Sequence, residues 1–206
     1  MYFNRFTNLK NKFVKDVLLL NGKHIVELFD VKSCFSTLSL ILFAQSKHRD
    51  ENEVKRMFNI IQQDIYVWIG KEIGFNQKAD QSYEEWRDEI KELFNSWLFS
   101  TCRGKKRGYK KLIDEKINEH FPAFYKWIHG QQEVMKRDER KSVLSVKCQW
   151  LENKLVMNGL FDKVKYMNAI TKHDAIYITK DQYSEELKQE IQDEWNKIVK
   201  KELEGE

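Results

Sequence analysis

The sequence predicts an α+β fold, mostly helical, with one small antiparallel sheet assembled from residues near both ends of the chain. Three observations carry that expectation. Two β-prone stretches lie far apart, at 24–31 and 164–179. Between them, apolar residues recur at helical spacing over long runs. The 206 residues include one proline and eight glycines, so little interrupts a helix.

Tyr2 to Lys10 shows no clear period and reads as an ordered lead-in. A short helical or extended piece follows from Lys12 to Leu20 and closes at the turn signal Asn21-Gly22. His24 to Val31 alternates, with Val26, Leu28 and Asp30 on one face and Ile25, Glu27 and Phe29 on the other, which is a strand pattern. Ser36 to Gln45 is apolar all round and reads as a buried helix directly after it.

Asp50-Glu51-Asn52-Glu53 suits a helix start, because acids near an N-terminus favour the helix dipole. The apolar register Val54, Met57, Phe58, Ile61 and Ile65 continues through Tyr66, Trp68, Ile69 and Ile73 to Gly74. After a polar connection at Gln77–Ser82, a helix is expected from Tyr83 to about Ser100, with Trp86, Ile90, Leu93, Phe94, Trp97 and Leu98 on its apolar stripe. Arg87, Lys91 and Asn95 stand four residues apart and share another face.

Thr101 to Lys111 is basic, with no acid and with glycines and Tyr109 interleaved; it suits either a solvated loop or one that tracks phosphates. Helices follow over Leu112–His120 and from Pro122, well placed as a first helical residue, to about Lys136. A longer helix from about Asp138 ends at Asn158-Gly159. Two strands, Val164–Ile170 and Ala175–Thr179, are joined at Thr171-Lys172-His173-Asp174. The tail from Ser184 is amphipathic through Leu187, Ile191, Trp195 and Ile198, and is expected to pack on the sheet.

Composition narrows the class. At 41% hydrophobic and 13% aromatic, the chain has the content of a packed globule and not of a disordered segment. Charged residues nearly cancel to a net +4, so any nucleic-acid footprint must be local. Cys34, Cys102 and Cys148, odd in number and without a CxxC pattern, speak against a disulfide framework and a structural zinc site, and for a reducing compartment. The most apolar run, Leu38–Ala44, is far shorter than the roughly 20 residues a spanning helix needs, and no leader is visible. No membrane association is expected, and a cytoplasmic location is.

Asp30 ends one β-prone run and Asp174 precedes another. Alone, an Asp beside a strand commonly marks a turn or caps a helix. Together, with a helix bearing Arg87 and Lys91 and a basic loop between them, the pair suits nucleotide chemistry, where metals neutralise phosphates and protein supplies position and charge.

The order of these parts resembles the palm and fingers of family A polymerases, the group of DNA polymerase I and the single-subunit phage RNA polymerases. Asp30-Val31-Lys32-Ser33-Cys34-Phe35 resembles that family's first motif (D-Y-S-Q-I-E), which implies metal ligation by Asp30 and the Val31 carbonyl. Lys172-His173-Asp174-Ala175 is similar to the third (V-H-D-E or I-H-D-S), which implies a second metal-ligating aspartate in Asp174 and a primer contact in His173. Arg87-x3-Lys91-x7-Phe99-Ser100 is similar to the second (R-x3-K-x7-Y-G), with Arg87 and Lys91 on the triphosphate and Phe99 where a tyrosine closes on the nascent base pair.

Further echoes are Phe58 with Asp64-Ile65-Tyr66 and Glu72-Ile73-Gly74, which places Tyr66 at a phosphate-contacting histidine. Phe121-Pro122-Ala123-Phe124, Gln149, and Arg5 with Asn8-Leu9 also have counterparts, and the last two imply nucleic-acid contacts by Gln149 and Arg5. Arg103, Lys105, Lys106 and Arg107 of the basic loop are further candidates for duplex contacts.

The resemblance, spanning residues 5 to 179, implies one polymerase-like module: a palm of 1–50 and 138–206, and a helical fingers insertion of 51–137. It further implies template-directed addition of dNTPs to a primer 3′-hydroxyl with two Mg²⁺ ions. Departures are informative. Phe35 replaces the glutamate that screens the sugar 2′ position, and its bulk implies a dNTP preference. Ala175 replaces a carboxylate, Ser100 a glycine and Tyr66 a histidine. No thumb or exonuclease fits ahead of Arg5, so a partner supplying a thumb or processivity function is expected. The alternative is a catalytically degenerate, nucleic-acid-binding accessory protein on the same scaffold.

Overall fold

The computed structural model describes residues 19–31, 33–100, 107–134, 143–172 and 174–205. The fold is α+β and mostly helical, with a four-stranded antiparallel sheet of order β1-β2-β4-β3, in which β1 is Leu19–Leu20, β2 Lys23–Asp30, β3 Ala169–Lys172 and β4 Ala175–Thr179. The helices are α1 (Cys34–Ala44), α2 (Glu51–Gln63), α3 (Ile65–Glu72), α4 (Tyr83–Leu98), α5 (Tyr109–His120), α6 (Pro122–Val134), α7 (Val143–Glu152), α8 (Phe161–Val164) and α9 (Glu185–Glu204). Among the described residues no helix is long and apolar enough to cross a membrane. The chain divides into two compact units, Met1–Cys34 with Trp150–Lys201, and Phe35–Gln149 with Glu202–Glu206.

The first unit is the sheet with its flanking helices. Asn21 and Gly22 both have positive φ, 54° and 76°, the backbone that a two-residue hairpin between β1 and β2 requires. β2 is not regular. Glu27 pairs with Tyr177 and Phe29 with Ile176, so Leu28 is an extra residue and forms a bulge. Leu28 and Phe29 are consequently both buried. Beyond the bulge the faces exchange: Asp30, opposite Ala175, joins the side of Ile25 and Glu27 and leaves that of Val26. Strict alternation had put Asp30 with Val26 and Leu28.

Ile25, Ala175 and Tyr177 form an apolar cluster on one sheet face, with Leu20 and Ile170 against it. On the opposite face Phe29 meets Trp195 of α9, ring centroids 6.0 Å apart, so the tail helix packs on the sheet as expected. The end of the sheet away from Asp30 is tied by polar contacts: Asn168 N–H donates to Gln182 Oε1 at 2.8 Å, and Thr179 Oγ1 to the same oxygen at 3.0 Å.

The helix before β3 departs from expectation. It does not stop at Asn158-Gly159. Asn153–Leu160 is a π-helical continuation of α7, sealed by the Phe161 N–H on the Val156 carbonyl, and α8 follows without a break. Val164 is therefore the last residue of a helix, not the first of a strand, and β3 begins only at Ala169.

The second unit is helical. α1 is apolar all round and buried from Ser36 to Ile41. The apolar register expected to run unbroken from Val54 to Ile73 is divided at Asp64, whose φ is 139°, into α2 and α3. Asp50 caps α2, accepting the Glu53 N–H at 2.9 Å. Ser82 and Glu85 form a reciprocal capping box at the start of α4. Glu53 is buried, and its two carboxylate oxygens accept the Ala123 and Phe124 N–H groups, each at 2.9 Å, which caps α6 behind Pro122. Gly70 permits close approach of α3 to α4: a Cβ there would lie 2.4 Å from Ile90 Cδ1.

Candidate functional site

In the sheet unit, strand register brings the two aspartates to one end of the sheet. Asp30 is the last residue of β2, opposite Ala175, and Asp174 stands in the turn between β3 and β4 immediately before Ala175. The Val31 N–H donates to the Asp174 carbonyl at 3.2 Å, continuing the ladder past the end of β2. Asp30 is exposed and Asp174 half-buried, while Val31 is buried.

Tyr177 reports on this arrangement electrostatically. Its phenol is pushed up to about 12, first by burial and then by the negative charges of Glu27, Asp30 and Asp174. The bulge at Leu28 accounts for the Asp30 contribution, since it turns Asp30 to the face that Tyr177 and Glu27 share.

The donor set suits a hard cation. Among the described residues no group of three or more His, Cys, Asp and Glu side chains could hold a metal ion. Mg²⁺ seldom needs such a cage, because it is commonly held by one or two carboxylates with the remaining positions taken by water and substrate phosphates. Asp30 and Asp174, with nearby backbone carbonyls, fit that description.

In the helical unit, α4 carries the cations. Arg87 Nε donates to Asp64 Oδ2 at 2.5 Å, and its guanidinium carbon lies 5.2 Å from the centre of the Tyr66 ring. Burial opposes the Arg87 charge, but the hydrogen bond and charge of Asp64 outweigh it and hold the group above its ordinary value. The Asp64 bond engages Nε only, so the two terminal nitrogens have no hydrogen-bond partner among the described residues. Lys91, one turn further along α4, is exposed and has no ion-pair partner among the described residues. Asn95, the next residue on that face, has a buried side-chain oxygen without a donor among the described residues.

Phe99, which follows α4, meets Phe35 of α1 edge to face, centroids 5.0 Å apart and planes at 88°. Residues 64 positions apart in the chain, singled out separately in the sequence, are thus in contact. No family model, curated protein or solved structure matches the chain.

Tyr66 departs from the expectation of a direct phosphate contact. Its side chain is 1% exposed, packed against Phe94 and under Arg87, so it supports the cation and does not reach outward. Gln149 and Arg107 are exposed. Arg5, Arg103, Lys105, Lys106 and His173 lie outside the described residues. Sequence reasoning assigned no role to Asp64. The available signal was an acid inside an apolar helical register directly ahead of Ile-Tyr-Val, where it interrupts one helix and caps the next.

Proposed function

We propose that the protein is a nucleotidyltransferase of the family A polymerase type, adding deoxynucleotides to a primer 3′-hydroxyl. The observation that supports this reading is the strand register that places Asp30 at the end of β2 and Asp174 just before β4 at the same end of the sheet, with the Val31 N–H bonded to the Asp174 carbonyl. Two carboxylates at the ends of paired strands are the minimal protein contribution to a Mg²⁺-dependent phosphoryl transfer.

The sheet unit would hold two Mg²⁺ ions on Asp30, Asp174 and the Val31 carbonyl. When bound, such ions polarise the reacting phosphate and stabilise the attacking and leaving oxygens. The helical unit would bind the triphosphate. Arg87 offers two terminal nitrogens and Lys91 an ammonium one turn away, none with a partner among the described residues, a spacing that lets both grip one polyphosphate. Phe35 and Phe99 together would form the wall against the sugar and base.

The primer 3′-hydroxyl gives up its proton to water, its oxygen forms the new bond to the α-phosphorus, the bond from that phosphorus to the bridging oxygen of the β-phosphate breaks, and pyrophosphate leaves. The His173 and Gln149 contacts to primer and template, and the basic residues Arg103, Lys105, Lys106 and Arg107, remain parts of the proposal, as does a partner supplying processivity.

Primer extension with radiolabelled dNTPs on primed DNA and primed RNA tests it. Asp30→Ala and Asp174→Ala should each reduce incorporation by at least about 100-fold. Extension at the wild-type rate by both variants overturns the assignment. Salt-dependent binding of primer-template without any incorporation by the wild type would instead favour the accessory protein.

A further inference from the structure

We infer that Asp64 is a positioning residue, which aims the Arg87 fork at a polyphosphate by holding its Nε and leaving its two terminal nitrogens outward. The inference rests on the triphosphate-binding reading of Arg87. Asp64 has two duties, one for each carboxylate oxygen. Oδ1 accepts the Tyr66 and Val67 N–H groups at 2.9 and 3.3 Å, which starts α3, while Oδ2 takes Arg87 Nε. The backbone pays for this arrangement with a φ of 139°, a conformation L-residues with side chains rarely adopt.

A helix cap alone does not require such a residue, since Ser or Gly would start α3 without it. An ion pair alone would not place the carboxylate behind Nε and the Tyr66 ring beneath the guanidinium plane. Tyr66 is itself fixed against Phe94, ring centroids 6.0 Å apart. Arg87 is therefore held at Nε and along one face, with its two terminal nitrogens unbonded among the described residues. At 25% side-chain exposure it is neither buried as a structural ion pair nor loose as a surface one. A guanidinium locked in this way loses little rotamer freedom when it takes a second anion, which is how a support behind a binding group raises affinity.

The test is equilibrium binding of dTTP with Mg²⁺, and separately of inorganic tripolyphosphate, by isothermal titration calorimetry on the full chain without primer. Asp64→Asn keeps the capping oxygen and tolerates positive φ, but presents an amide in place of the charge at Arg87. It should weaken both ligands roughly tenfold, and in extension assays raise the KM for dNTP with kcat within about threefold. Arg87→Gln should weaken both at least as much, and the double variant no further than Arg87→Gln alone, because Asp64 acts only through Arg87.

Tyr66→Leu removes the aromatic support without touching the cap and should weaken binding about threefold, so the inference stays testable if Asp64→Asn disturbs α3. Wild-type affinity in both Asp64→Asn and Tyr66→Leu, or full additivity in the double variant, overturns the positioning role and leaves the polymerase reading standing. Failure of the wild type to bind either ligand overturns both.

Discussion

The two units use their acids in opposite ways. In the helical unit three acids are held by structure: Glu53 saturates two N–H groups at the start of α6, Asp50 caps α2, and Asp114 accepts from Trp97 Nε1 at 3.0 Å, Tyr125 Oη at 3.2 Å and His129 Nε2 at 3.0 Å. In the sheet unit Asp30 and Asp174 lie at strand ends, where the backbone between them is already paired by the ladder. The first set should govern stability and the second chemistry. An acid whose oxygens satisfy buried backbone donors cannot be removed without orphaning them.

The largest expected effect tests that division directly. Glu53→Ala leaves the Ala123 and Phe124 N–H groups without their acceptor in a buried site and should cost about 2–4 kcal/mol in urea unfolding. Asp174→Ala, at a half-buried turn, should change stability by less than about 1 kcal/mol while removing activity. Equal losses of stability in the two variants would erase the distinction.

Legibility followed the same line. β2 and α1 were readable because one alternates and the other is apolar all round, each a local signal. The placement of Asp30 and Asp174 at one end of the sheet was readable too, since it needs only two strands and their ends. The bulge was not: Leu28 and Phe29 are both apolar, so nothing local says which is the extra residue. The break at Asp64 was hidden because Ile61, Ile65 and Ile69 keep helical spacing straight through it. The strand expected from Val164 was a β-branched residue read as strand, where continuation from the π-helical segment won. The aim of Arg87 depends on a carboxylate 23 residues earlier, which no local pattern in α4 discloses.

A middle-sized effect concerns the aromatic pair Phe35–Phe99, which joins two of the sequence motifs. Phe35→Ala removes the edge-to-face contact with Phe99 and the bulk expected to exclude a 2′-hydroxyl. Discrimination against ribonucleotides should fall about tenfold, or about 1.4 kcal/mol, measured as the ratio of kcat/KM for dNTP over NTP. Phe35→Leu, which keeps most of the bulk and loses the aromatic edge, should lie between the wild type and Phe35→Ala. An unchanged ratio in Phe35→Ala would place sugar selection elsewhere and detach this contact from the proposed chemistry.

The smallest effect is the sharpest probe of the Asp30 end of the sheet, because it needs no activity. The folded Tyr177 phenol is pushed up to about 12, first by burial and then by the charges of Glu27, Asp30 and Asp174 in that order. An unfolded tyrosine ionises near about 10, so the neutral form is favoured by folding. That contribution to stability is complete below about pH 10 and is lost as pH rises toward about 12. Neutralising a nearby acid lowers the folded value and narrows that window. Glu27→Gln should lower it most, Asp30→Asn next and Asp174→Asn least, by about half a pH unit or less, read from ultraviolet absorbance during alkaline titration. Tyr177→Phe identifies the signal among the eight tyrosines. Added salt should shrink each difference, most for the exposed Asp30, since screening acts on charges that face water. A Tyr177 titration indifferent to both Asn substitutions would mean that these carboxylates do not share its face of the sheet, and the contrast between structural and chemical acids would lose its second half.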